Sequence, residues 1–238
     1  MSLSGGVQIF ANDVFDTTTT AVHDIGLLGM SLDGRCSRYS QAGGSNIAAG
    51  KLNVAATQVA DDENIACAAT AVGTVQVTVT LGASAVVANQ YANGYFIVND
   101  VDGEGQTIQI SGHPAASGAA TLVVTLKEPL QVALTTSSQA SLVKNMWDDV
   151  VISATDQADF AVGIPNVAIA TTAFGWLQTK GICAALADEN VAAGIELTIG
   201  TGVAGAVEAY DAAGEQTIGV THTALIDTEY RSVYLSID

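Results

Sequence analysis

Residues 75–81 (VQVTVTL) alternate without a break, apolar at every odd position and polar at every even one. A period of two sets one face of an extended strand against a core and leaves the other in solvent. Shorter runs of this kind follow at 95–98 (YFIV), 107–110 (TIQI) and 122–126 (LVVTL), separated by glycine-rich turns. Together they predict a compact β unit. The closing section alternates again at 195–199 (IELTI), 207–210, 218–220 and 233–237 (VYLSI), and short strand-like runs stand at 150–153, 161–164 and 167–170. Residues 25–39 read as strand, turn at Asp33-Gly34, strand, because Asp-Gly between apolar runs is a hairpin signal. Only residues 61–71 (DDENIACAATA) predict a short helix, with an acidic first turn and Gly73 as its stop. The fold class is all-β: a barrel- or sandwich-like domain of short antiparallel strands with an inserted smaller β unit and little helix.

One phrase occurs twice. Tyr39-Ser-Gln-Ala-Gly43 is followed by Ile47-Ala-Ala-Gly50-Lys-Leu52, and Leu177-Gln-Thr-Lys-Gly181 by Val191-Ala-Ala-Gly194-Ile-Glu-Leu197. Each copy predicts a strand stopped by glycine, a loop, an Ala-Ala-Gly turn and a second strand. Its presence at both ends suggests that residues 25–66 and 141–238 build one barrel-like domain, with 67–140 inserted as a second β domain and 1–24 an N-terminal arm. A plain division near residue 140 is the rival layout.

Composition narrows the function. Twenty-four acidic residues against seven basic ones give a net charge of −17. Nucleic-acid binding needs clustered Lys and Arg to displace counterions, so the charge argues against DNA or RNA as a partner. Cys36, Cys67 and Cys183 are odd in number and widely spaced, which predicts neither a disulfide framework nor a zinc site. The first ten residues lack a basic and then apolar signal-peptide pattern, and no run reaches the ~20 apolar residues of a membrane helix. Synthesis in a cytoplasm, with no membrane partner, is the expectation.

The motifs with chemical potential each have a plainer reading. Gly200-Thr-Gly-Val-Ala-Gly205 spells GxGxxG, but a dinucleotide site needs a helix after the third glycine, whereas residues 206–210 read as strand; a hairpin loop is expected. Asp100, Asp102 and Glu104 crowd one tight loop, as calcium ligands do, but without the EF-hand spacing; a solvated turn is the alternative. His23, His113 and His222 are isolated, and no GxSxG elbow accompanies them. Carboxylates are abundant enough to form a glycosidase pair, but aromatics for sugar stacking are few, and Trp147 and Trp176 read as packing anchors. Arg35, Arg38 and Arg231 are candidate interface anchors or ordinary surface ion pairs. No catalytic, cofactor-binding or metal residue is assigned, and the chain is expected not to be an enzyme.

The phrases have a further meaning. Asp33-Gly34-Arg35 with Arg38-Tyr39, Ala42-Gly43, Ala49-Gly50-Lys51, Asn93-Gly94-Tyr95 and Ile110-Ser-Gly-His-Pro114 run in order along the chain. Residues 126–129, 133–138, Gly175-Trp-Leu-Gln178 with Gly181, Gly205-Ala-Val207, Ile218-Gly219 and Glu229-Tyr230 continue the series. In this order the sequence resembles structural proteins encoded beside capsid genes in tailed bacteriophages, especially marine ones. The resemblance implies a head decoration or cement-type protein of β-barrels, a homotrimer on the virion surface with the major capsid protein as partner. It carries no functional residues over. A tail or surface adhesin that binds host glycan is the alternative.

Overall fold

The computed structural model describes residues 6–9, 13–157 and 159–238. The strands before the inner unit are β1 (Gly6–Gln8), β2 (Leu28–Met30), β3 (Cys36–Gln41) and β4 (Asn53–Val54). Those within it are β5 (Ile65–Ala66), β6 (Gln76–Thr80), β7 (Tyr95–Asp100), β8 (Thr107–Gly112), β9 (Thr121–Leu126) and β10 (Gln139–Val143). After it come β11 (Val151–Ile152), β12 (Ala161–Pro165), β13 (Phe174–Leu186), β14 (Glu196–Ile199), β15 (Val207–Ala209), β16 (Gly219–Thr221) and β17 (Tyr230–Ser236). The protein is all-β; its helical content among the described residues is two single 3-10 turns, Asp13–Phe15 and Ala60–Asp62. The chain forms two compact units, one of Met1–Ala56 with Met146–Asp238 and one of Thr57–Asn145.

The inner unit is a six-stranded sheet in the order β5-β10-β7-β8-β9-β6. It curls until its ends nearly meet. Cys67, just after β5, bridges to Val79 of β6, and the Ala68 N–H donates to the Thr78 carbonyl at 2.8 Å. The alternation along β6 is what buries the core: Val77 and Val79 point inward with Phe96, Ile110, Leu122 and Val124, while Gln76 and Thr80 face out.

This unit is wider than 67–140, and its first segment is not helical. Residues 61–71 give one 3-10 turn, then strand β5 paired with Ala140 and Gln139 of β10. Asn64 takes a left-handed φ of 55°, which breaks the turn before a second one can form. Beyond it Ile65 and Cys67 are buried while Ala66 and Ala68 are exposed, so the period is two. The alanine-rich composition concealed this alternation.

The outer unit is an eleven-stranded sheet whose main path runs β1-β2-β3-β13-β17-β16-β14-β15, with β12 joining β13 to β4, and β4 to β11. Strand β13 is its spine. The first half pairs with β3 and the second with β17, with a bulge between Gln178 and Lys180. The repeated phrase predicts a stop at Gly181, but β13 continues to Leu186. Gly181 takes φ 92° just past the bulge and pairs with Leu235, so the glycine lies within the bent strand and does not end it. The turn half of the phrase is the same in both copies: Gly50 and Gly194 have φ of 72° and 82° and lead into β4 and β14. The run at 167–170 is not a strand; only Ile169 pairs there, with Ile47.

Beyond Leu186, Ala187 pairs in parallel with Val207 of β15, which turns the sheet back toward its own spine. Leu197, Ile199, Val207, Val233 and Leu235 fill the interior that results, and Ile47, Val150, Ile169 and Leu177 pack in a separate cluster. The sequence-predicted arm lies partly outside the described residues, at 1–5 and 10–12. Its described part is docked. β1 runs parallel to β2, Thr18 bridges to Phe174, and Ile9 and Val14 pack against Tyr39 and Trp176.

Candidate functional site

The three histidines have unrelated surroundings. His113 is buried in the inner unit, where its Nδ1 bonds the Pro114 carbonyl at 2.8 Å and its Nε2 accepts the Tyr91 N–H at 3.1 Å. These partners place the ring proton on Nδ1. Beside it the buried Tyr91 hydroxyl donates to Asp62 Oδ2 at 2.5 Å, while Asp62 Oδ1 has no hydrogen-bond partner among the described residues. Burial, and then the Asp62 carboxylate, push the Tyr91 phenol well above its ordinary value. His23 packs edge-on to Tyr39 at 5.1 Å, and His222 bonds the Ser232 hydroxyl at 3.0 Å.

The GxGxxG segment is the loop joining β14 to β15. Its amides are already in use: Asp188 accepts the Gly202 N–H at 2.6 Å, and Glu208 accepts the Thr201 N–H at 3.0 Å. Two carboxylates therefore sit where a phosphate would have to bind, and a strand follows in place of the helix. Asp100 at the end of β7, and Asp102 and Glu104 on the loop that follows, are exposed. Asp100 accepts the neighbouring Val101 N–H at 2.8 Å, and the Asp102 carbonyl, not its carboxylate, takes the Ser138 hydroxyl. Among the described residues no group of three or more His, Cys, Asp and Glu side chains gathers as a metal site.

Each arginine has an intrachain acid. Arg38 forks onto Asp238 at 2.6 and 3.0 Å and lies 4.7 Å over the Trp147 ring. Arg231 meets Glu229 at 2.6 Å and Arg35 meets Asp33 at 2.7 Å. A hydrogen bond from the Ser31 hydroxyl, with further bonds and charge from Arg35, holds the Asp33 carboxyl below its ordinary value. Trp176 packs with Ile9, Val14 and Tyr39, and Trp147 against the Ile47–Ile169 cluster.

Cys67 and Cys183 are buried, and burial pushes their thiols up to about 11 and about 12. Unfolded thiols lose their protons from pH ~8.5. The folded state holds those protons longer, so stability is full below pH ~8.5 and falls as pH climbs toward the folded values, by up to ~1.4 kcal/mol per unit for each thiol. Urea titrations should show a constant midpoint from pH 7 to 8.5 and a falling one by pH 10.5; a flat curve would contradict the burial argument. Native alkylation at pH 8 should label Cys36, which is partly exposed, and spare the other two.

Two outward features were not read from sequence. One is a cavity of about 350 Å³ in the outer unit, lined by Asp13, Asp16, His23, Tyr39 and Trp176. The other is an uncharged row on the outward face of the sheet. Ile182 pairs with Tyr234, Tyr234 with Val220, and Val220 with Glu196. The first three are 44 %, 41 % and 36 % exposed and lie side by side on three adjacent strands. Period two at 233–237 already put Tyr234 opposite Val233 and Leu235, but only the strand order puts it beside Ile182 and Val220.

Comparison with protein-family models, curated proteins and solved structures finds no match to this chain.

Proposed function

We propose that this chain is a structural protein of a tailed-bacteriophage virion, a capsid decoration protein that docks on the outer surface of the head, binds the major capsid protein and stabilises the shell. One observation supports this reading above others: the residues that carry the resemblance build the scaffold. Asp33-Gly34-Arg35 forms the β2–β3 turn, Gly175, Trp176, Leu177 and Gln178 lie in the buried half of β13, and Gly94 sits at the seam of β7 and β10. His113, His222, the three arginine–acid pairs and the GxGxxG loop likewise bond within the chain. A charge of −17 suits a position outside the shell, away from packaged DNA. Docking as an oligomer would turn modest contacts into firm retention.

Electron cryomicroscopy of the parent particle tests the proposal. Density fitting both β units on the outside of the head is the expected result; a head without it overturns the reading. The glycan-binding adhesin is supported by the cavity around His23, Tyr39 and Trp176, which combines rings with the carboxylates of Asp13 and Asp16. It is less favoured because Tyr39 and Trp176 are only 2 % and 4 % exposed, which leaves little ring face for a sugar. Binding to a glycan array that is lost on Trp176→Ala would reverse that order.

A further inference from the structure

We infer that the uncharged row across β13, β17 and β16 is a self-association surface, and that its occupant is a second copy of this chain related by a two-fold axis. The inference rests on the reading of the chain as an assembling shell component and names the surface through which it pairs.

Charge selects the occupant. Two copies at −17 each repel wherever acid meets acid, so close approach is cheapest across a face without net charge. Ile182, Tyr234 and Val220 make such a face. At its two sides stand Lys180 on β13 and Glu196 on β14, both exposed and neither in an ion pair among the described residues.

The strand order makes this face self-complementary. Across it the strands run β13-β17-β16-β14. A two-fold axis parallel to the strands, between β17 and β16, reverses that order in the facing copy. Tyr234 then lies over the partner copy's Val220, and β13 lies over the partner copy's β14. Lys180 is two residues from Ile182 along β13, about 7 Å, and its flexible stem can cover that offset to reach the opposing Glu196. Each pairing occurs twice, as an isologous contact requires. A hollow of about 460 Å³ between the Asp33–Arg35 turn and Tyr234 gives the opposing surface room to interlock. Strand order thus favours a two-fold pair over a threefold ring.

Sedimentation equilibrium and native mass spectrometry of the full chain test this. The wild type should be a dimer at micromolar concentration. Tyr234→Glu should raise the dissociation constant at least about tenfold, as loss of a central aromatic contact does. Lys180→Glu and Glu196→Lys should each weaken the dimer, and the double exchange should restore it. The charge exchange keeps the test decisive even if Tyr234→Glu perturbs folding. A monomer, a trimer, or a dimer unmoved by these variants overturns the inference. The outcome is separable from the particle experiment: a dimer of this kind absent from the head sinks only the decoration reading, and a monomer found on the head sinks only this one.

Discussion

Tyr91→Phe should destabilise the inner unit by about 3 kcal/mol or more, although it removes a single oxygen. Tyr91 and Asp62 are both fully buried, and the phenol is the only hydrogen-bond donor to the Asp62 carboxylate among the described residues. Removing it leaves a buried carboxylate with neither oxygen bonded. The mechanism is checked by a double-mutant cycle with Asp62→Leu. Replacing both partners by apolar groups removes the unpaired acid, so the double variant should be more stable than Tyr91→Phe alone. A double variant as unstable as the sum of the singles would sink the argument. The probe matters, because Trp147 and Trp176 both belong to the outer unit. Tryptophan fluorescence would not report this transition; amide exchange of β6 to β10 would.

Gly94→Ala should be at least as severe, with a loss of about 3 kcal/mol or more and little folded inner unit at 37 °C. The cost is not conformational freedom. A Cβ at this position would overlap the Val143 carbonyl oxygen, with the Asn145 nitrogen and the Tyr91 carbonyl each 3.0 Å away. All three are backbone atoms. They cannot rotate aside as a side chain can, so relief requires β7 and β10 to part at the seam where Tyr95 pairs with Val143. Gly44→Ala is the control: a Cβ there meets nothing within 4 Å among the described residues and should change the unfolding midpoint little. Equal midpoints for the two variants would overturn the steric account.

The parts of the fold legible in the sequence are those where burial is one-sided. Residues 75–81 show it best, since Val77 and Val79 must face the core and the polar residues between them must not. The Asp33-Gly34 turn was legible for a local reason: Gly34 takes φ 84°, and the Ser31 and Arg35 bonds close around Asp33 within five residues. Three features were not legible. Alanine is at home in helix and strand alike, so residues 65–68 concealed their alternation. A glycine that ends one strand and bends another reads the same in sequence, and only the partners of β13 on both sides separate Gly181 from Gly43. The nearly closed inner sheet depends on one bridging residue, Cys67, and a single position has no period. The candidate site was hidden for a related reason. Lys180, Tyr234, Val220 and Glu196 are ordinary in their own segments and form a surface only through a strand order that joins residues far apart in the chain.

That order also fixes when each unit can form. Every strand of the six-stranded sheet lies between residues 65 and 143, so the inner unit holds all of its own pairing partners once Asn145 has been synthesised. The outer unit cannot complete itself so early: β3 waits for β13, and β13 for β17, near the end of the chain. On a ribosome the inner sheet can therefore close while β3 and β4 still await β11, β12 and β13, with β2 and β3 as an exposed hairpin. A fragment ending between residues 150 and 170 and released from the ribosome would carry a complete inner unit and an unfinished outer one, the species on which a chaperone would act.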